Sequence, residues 1–204
     1  MPLRARDNPF AVQRVLAIRY RLAGVTWEEM LERLAALRFR AAIVGPHGHG
    51  KTTLLEDLGE RLGVQGFRVR TATLHEGERR LGAQRESALF RDPGPWDLLL
   101  VDGAEQLDRM AWWRLRRRSR AAAGLIVTAH RPGLLPILYE CATTPELLAG
   151  IVADLGEAVE EGSEELFARH GGDLRQALRE LYDRRAGLTS PSSARGGSPS
   201  PRGR

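Results

Sequence analysis

Lysine is nearly absent from this sequence. Of its 31 Lys and Arg side chains, only Lys51 is lysine and the other 30 are arginine. The skew reads as the bias of a GC-rich genome, and it makes the position of the lone lysine informative. Cysteine is equally scarce, Cys141 being the only one. An internal disulfide and a cysteine-based metal site are therefore excluded, and a reducing, cytoplasmic setting fits. No apolar run is long enough to span a bilayer, and the opening MPLRARDNPF lacks the apolar core of a signal peptide, so no membrane association is expected. Most of the chain also lacks an excess of charge. The formal net charge is +5, but five arginines (Arg184, Arg185, Arg195, Arg202 and Arg204) follow the last acid, Asp183. Residues 1–183 therefore sum to zero, and the basic balance is no argument by itself for nucleic acid.

What is present is an alternation of strand and helix patterns, enough in 204 residues for one α/β domain with a small appendage. In TWEEMLERLAAL, Thr26 and Glu29 form a capping box ahead of an apolar stripe of Met30, Leu31, Leu34 and Leu37. FRAAIV reads as a buried strand, and KTTLLEDLGERLG as a helix closed by Gly63. FRVRTATL alternates as a second strand. WDLLLVD is a third, and its unbroken apolar centre, Leu98 to Val101, suits a parallel strand covered on both faces. GLIVTAH is a fourth and PILYECAT a short fifth. After Pro145 the pattern turns helical in PELLAGIVADL, SEELFARHG and DLRQALRELYDRR. The stretch from about Gly187 is rich in Ser, Pro, Gly and Arg and reads as a disordered tail. The predicted fold class is α/β, with a mostly parallel sheet in three layers and a small C-terminal helical lid.

The lone lysine stands in GPHGHGKT, residues Gly45 to Thr52, which has the Walker A spacing of a phosphate-binding loop. An apolar strand precedes it and an amphipathic helix follows, as that motif requires. The backbone of Gly45, Pro46, His47, Gly48, His49 and Gly50 would wrap phosphate oxygens, the glycines letting N–H groups turn inward. Lys51 would reach the β- and γ-phosphates, Thr52 would bind Mg2+, and Thr53 would help hold the α-phosphate. His47 and His49 have a spacing that also suits a metal; exposed loop histidines are the preferred reading.

The third strand ends in Asp102, a Walker B carboxylate positioned to hold Mg2+ through water. The same carboxylate also suits a helix cap. Hydrolysis needs a further group to orient or deprotonate water. Gly103 follows Asp102 directly, and the next acid is Glu105. In a helix begun at Gly103, Glu105 would lie in the first turn, where it either faces the γ-phosphate or merely complements the helix dipole.

Together GPHGHGKT, LLLVD, GLIVTAH and GGDLRQALRELYD resemble the AAA+ ATPases, with the layout of the clamp-loader, origin-recognition and transposition-helper branches, over about residues 38 to 183. The resemblance implies a P-loop NTPase fold that binds ATP with Mg2+ between an α/β core and a lid, hydrolysis moving one against the other. It implies a sensor-1 role for Thr128, with His130 a neighbouring candidate, and a sensor-2 role for Arg175 at the γ-phosphate. The corresponding organisation is an N-terminal helical lead-in over 1–37, a nucleotide-binding core over 38–145, a lid over 146–186 and a tail over 187–204. Adenine is implied only by the resemblance; no guanine-specifying Asn-Lys-x-Asp stretch occurs. Two departures stand out. Gly103 replaces the usual Walker B glutamate. In the YEC stretch, Glu140 stands where clamp loaders carry an arginine for the neighbouring subunit, so homo-oligomerisation stays open while trans-activation lacks support.

LDRMAWWRLRRRSRAAAG follows Walker B. On a helical wheel Leu107, Met110, Ala111 and Leu115 share one face, Arg109, Arg116 and Arg120 lie opposite, and Trp112 and Trp113 flank them. Such a face suits DNA, through stacking and phosphate pairing, or a protein partner. It equally suits a solvated helix. The acidic run from Asp154 to Glu165 is a candidate counterpart within the lid or in a second copy. Two rival functions share the loop: a small-molecule kinase and a nucleotide-dependent adaptor without turnover.

Overall fold

The structure is a computed structural model that describes residues 8–10, 19–158 and 162–187. The tail predicted from Gly187 lies, but for its first residue, outside the described residues, as do Glu160 and Glu161. Helix α1 (Trp27–Ala36) starts at the predicted capping box: Thr26 Oγ1 accepts from Glu29 N at 3.2 Å, and Glu29 Oε2 accepts from Thr26 N at 2.7 Å. The core then runs β1 (Arg40–Val44), α2 (Lys51–Val64), β2 (Arg68–Thr73), α3 (Ala83–Phe90), β3 (Asp97–Asp102), α4 (Arg109–Arg118), β4 (Gly124–Ala129) and β5 (Ile137–Glu140). Short 3-10 turns at Ala104–Gln106 and Ser119–Ala121 bracket α4. Three helices follow: α5 (Pro145–Asp154), α6 (Ser163–Arg169) and α7 (Leu174–Arg185). Among the described residues, no helix is long and apolar enough to cross a membrane.

The five strands form one sheet in the order β2-β3-β4-β1-β5, and every pairing is parallel. Parallel strands need crossovers, and the helices supply them on both faces. One face packs Ile43, Leu98, Leu100 and Ile126 against α1 and α2 through Leu34, Leu54, Leu58 and Leu62. The other packs Val44, Leu99, Val101 and Val127 against Leu89 and Phe90 of α3 and Leu115 of α4. Two-sided burial is why β3 and β4 read as continuous apolar runs.

Two expectations need correction, and one helix has no sequence expectation behind it. Helix α2 does not close at Gly63 but continues to Val64, with Gln65 as its C-cap: Gly63 is not left-handed, and the positive φ comes at Gly66, +96°. Met110, assigned to the buried face of α4, is 57% exposed, while Leu115 takes the core contact. The helix is only ten residues long and ends in a 3-10 turn, so a uniform wheel misplaces its ends. Finally, α3 carries no clear sequence signal: it is eight residues, uncapped by a side chain at Gly82, and buries only Leu89 and Phe90.

The three C-terminal helices share a small core of their own, built on Leu148, Val152, Leu166, Ala177 and Leu181. Phe10 is buried in it, and Asn8 Nδ2 donates to Tyr182 O at 3.0 Å. Residues 19–23 belong to the α/β core instead. Tyr20 N donates to Asp57 Oδ2, and Ala23 N donates to Tyr139 Oη. Arg21 reaches back to Asp154 of α5 at 2.5 Å.

One buried carboxylate anchors the open edge of the sheet. Asp97 is fully buried at the start of β3, pairs with Arg68 and Arg70 of β2, and accepts from Gly94 N at 2.6 Å. The Arg68 guanidinium, against the cost of burial and with the help of Gly94 and Arg70, holds the Asp97 carboxyl well below the usual carboxylate range.

Candidate nucleotide site

The site lies where open α/β sheets generally place ligands, at the carboxyl ends of the central strands. The loop from Gly45 to Gly50 leaves β1 and feeds α2. Its helix starts without a side-chain cap, Gly50 being the N-cap residue, so the first N–H groups of α2 have no side-chain acceptor. An anion is the natural partner for that end of a helix. Lys51 Nζ lies inside the arc of the loop and donates to Pro46 O at 2.7 Å. Burial pulls its ammonium below the ordinary lysine range, while the nearby Glu105 and Asp102 carboxylates act the other way and Arg175 adds to the depression. A phosphate chain would relieve that burial cost.

Because β4 stands between β1 and β3, its tip joins the two motifs. Thr52 Oγ1 donates to Asp102 Oδ2 at 2.9 Å, and Thr128 Oγ1 donates to Asp102 Oδ1 at 2.5 Å. Thr128 in turn accepts from Gly103 N at 2.8 Å and is itself buried. The predicted Thr52, Asp102 and Thr128 are therefore in one hydrogen-bonded group. Thr53 follows, half-buried, in the first turn of α2.

Gly103 adopts φ +75°, and a Cβ there would meet Leu74 O at 2.6 Å. No side chain fits that position, so an acid cannot stand next to Asp102 in this backbone. The turn instead delivers Glu105, two residues later. It is a 3-10 turn rather than the start of the helix expected at Gly103, and α4 begins separately with Asp108 as its N-cap. Glu105 Oε1 lies 3.4 Å from His130 Nδ1. Its Oε2 is buried and has no hydrogen-bond partner among the described residues. A buried carboxylate oxygen left unpaired beside a phosphate loop is costly for the fold alone.

The start of α7 meets the Gly45–Gly50 loop at Gly48. This glycine has φ +77°, and a Cβ on it would come within 2.0 Å of Asp173 Oδ1. Asp173 caps α7, accepting from Gln176 N at 3.1 Å, and Arg175 stands exposed in the first turn of that helix. Thr143, in the link to the lid, donates to Gly172 O at 2.7 Å. His47 and His49 diverge. His47 is 3.7 Å from Asp173 with its ring 5.9 Å from that of His130, whereas His49 faces Thr143. Among the described residues no group of three or more His, Cys, Asp or Glu side chains gathers as a metal site. Asp173 and Thr143 were not singled out from sequence; only an aspartate at a helix N-cap, legible in GGDLRQAL, pointed that way.

Among the described residues of the acidic run, none pairs with α4 within the chain: Asp154 pairs with Arg21, Glu157 with Arg185 and Glu165 with Arg169. Trp113 and Arg116 are exposed, and so is Arg120 in the turn after α4, while Trp112 is half-buried against the core.

No protein-family model matches the chain, and no curated protein matches it. Solved structures do. Domain III of the Thermotoga maritima replication initiation protein DnaA has a TM-score of 0.56 at 14% identity, covering 82% of this chain and 88% of that one. The Thermotoga maritima RuvB Holliday junction branch migration motor has a TM-score of 0.52 at 17% identity, over 82% and 64% of the two chains. NtrX from Brucella abortus, solved with ADP, has a TM-score of 0.52 at 14% identity, over 86% and 53%. The chain spans about three fifths of the length of the RuvB structures it matches. All three proteins are AAA+ P-loop ATPases, and this chain has their fold.

Proposed function

We propose that the protein binds MgATP at the Lys51 loop and hydrolyses it, moving the lid against the core so as to act on a protein or DNA partner through the α4 face. The observation that carries hydrolysis is Glu105, whose Oε2 is buried without a partner and whose charge is felt at Lys51. Support for the nucleotide comes also from the fold: NtrX structures are described in complex with ADP and ATP, and a DnaA structure with AMPPCP and single-stranded DNA.

In this reading the loop N–H groups and Lys51 bind the β- and γ-phosphates. Thr52 and Asp102 hold Mg2+, which when bound offsets charge on the phosphate oxygens. Glu105, oriented by His130, takes a proton from the attacking water. The water oxygen bonds to the γ-phosphorus, the bond to the bridging oxygen breaks, and ADP leaves with phosphate. Arg175 contacts the γ-phosphate from the lid, and Asp173 against Gly48 transmits the change in the loop to α7. A second reading, an adaptor that holds ATP without turnover, is favoured by Gly103 beside Asp102.

Steady-state phosphate release from MgATP tests both. The expected result is turnover in the native protein, loss in Lys51→Ala together with loss of binding, and a fall of 100-fold or so in Glu105→Gln with binding kept. Turnover unchanged in Glu105→Gln would remove Glu105 from the reaction. Tight ATP binding with no turnover, with or without added DNA, would establish the adaptor.

A further inference from the structure

Five arginines converge on one cleft away from the phosphate loop. Arg109, Arg116 and Arg117 come from α4 and Arg120 from the turn after it, while Arg40 comes from the start of β1. The cleft holds about 460 Å³. Its remaining walls are Trp112, Trp113, Leu125 and Leu135. Arg40 and Arg117 join the residues that sequence patterning assigned to this face, and α4 alone would not have shown that the face is concave.

No carboxylate among the described residues lines this cleft, whose walls are cationic, aromatic and aliphatic. Among the described residues none of the five makes an ion pair with a carboxylate, while Arg118, on the same helix, pairs with Glu86. Arg40 is held in place by Ser119, donating to its hydroxyl at 3.0 Å and its carbonyl at 2.8 Å, and Ser119 is fully buried. Burial, then the positive charges of Arg120 and Arg116, pulls the Arg40 guanidinium below its ordinary range. The fold thus fixes a half-buried cation beside two others at an electrostatic cost. Elsewhere acids and arginines pair: Asp154 with Arg21, Glu157 with Arg185 and Glu165 with Arg169.

The walls narrow the choice of anion. Arg116 lies 6.0 Å from the Trp112 ring centroid and Arg117 5.6 Å from that of Trp113, so each indole has a guanidinium beside it. Trp113 is 55% exposed, and the floor is apolar at Leu125 and Leu135. A phosphate backbone along the cationic rim with an unstacked base against an indole uses every one of these features. An acidic peptide would use the charges but leave the aromatic faces without a partner. A duplex keeps its base faces stacked and would meet only the rim.

We propose that the Arg40–Arg109–Arg120 cleft of α4 is a binding site for single-stranded nucleic acid, read through phosphates and base stacking without base-specific contacts. The site stands apart from the nucleotide loop and does not depend on hydrolysis. The basic C-terminal arginines are present in every variant below, so differences report the cleft.

The test is binding of fluorescein-labelled dT20 to the full chain by anisotropy at several salt concentrations. Arg116→Glu with Arg120→Glu is expected to weaken binding at least tenfold and to lower the salt slope by about 1.4, the value for two phosphates of a single strand. Trp113→Ala is expected to weaken binding about fivefold or more with the slope unchanged, since stacking is worth roughly 1–3 kcal/mol per base. MgATP binding, measured by calorimetry, should be unaltered in both, which shows that they fold. Unchanged dT20 affinity in the double variant would overturn the proposal. So would displacement of dT20 by poly-glutamate at equal charge concentration, which makes the site one for acidic peptide. Duplex bound as tightly as dT20 would remove the stacking role and overturn it as well.

Discussion

Asp173 stands so close to Gly48 that a methyl group on the glycine would come within 2.0 Å of the carboxylate oxygen. The contact joins the cap of a lid helix to the centre of the phosphate loop. Gly48→Ala meets both this clash and a φ of +77°. The lid should be displaced and MgATP affinity should fall at least tenfold, read by calorimetry. Asp173→Ala removes the cap of α7 as well, at about 1 kcal/mol of stability, visible as a lowered thermal midpoint.

Gly103→Glu looks like a repair of the Walker B motif. The backbone forbids it: φ is +75° and Leu74 O lies 2.6 Å from the would-be Cβ. The variant should lose about 2 kcal/mol or more, measured by urea unfolding, and gain no turnover. A stable, faster enzyme would show that Glu105 is not the substitute argued above.

Thr128→Val keeps the shape of a fully buried side chain but removes its hydroxyl. Gly103 N loses its acceptor and Asp102 loses a donor. The expected cost is about 1–3 kcal/mol in urea unfolding. Serine at the same position should restore most of it, a rescue that volume alone would not produce.

Acid should weaken the sheet edge through Asp97. Its carboxyl titrates lower folded than unfolded, so its stabilisation is complete above the ordinary aspartate value, about 3.9, and drains away as pH falls toward the folded value. Unfolding followed from pH 5 to pH 2 should show stability falling in that direction. Asp97→Asn should cost about 3 kcal/mol at neutral pH and flatten this part of the profile. Glu78, pushed down to about 2 chiefly by Arg85, contributes in the same sense over the same range.

The strand–loop–helix setting of GPHGHGKT was legible because an apolar strand pattern and a helix pattern flank one lysine, several glycines and a threonine. Asp102 and the strand order's parallel character followed from unbroken apolar runs. The Thr52–Asp102–Thr128 group was not legible, because it depends on β4 lying between β1 and β3, and sequence order does not give spatial order. Glu105 was visible as a candidate but its geometry was not: the left-handed turn at Gly103 has no periodicity to read. The cleft beside α4 was half legible. Its tryptophans and most of its arginines stood out, yet Arg40 comes from the distant strand β1, and Met110 faced outward against the wheel.

The C-terminal helices are fastened to the core at three places far apart in sequence. Arg21 pairs with Asp154, Thr143 donates to Gly172, and Asp173 lies against Gly48. Like a stool on three legs, the helical block rests on supports that no single contact would provide.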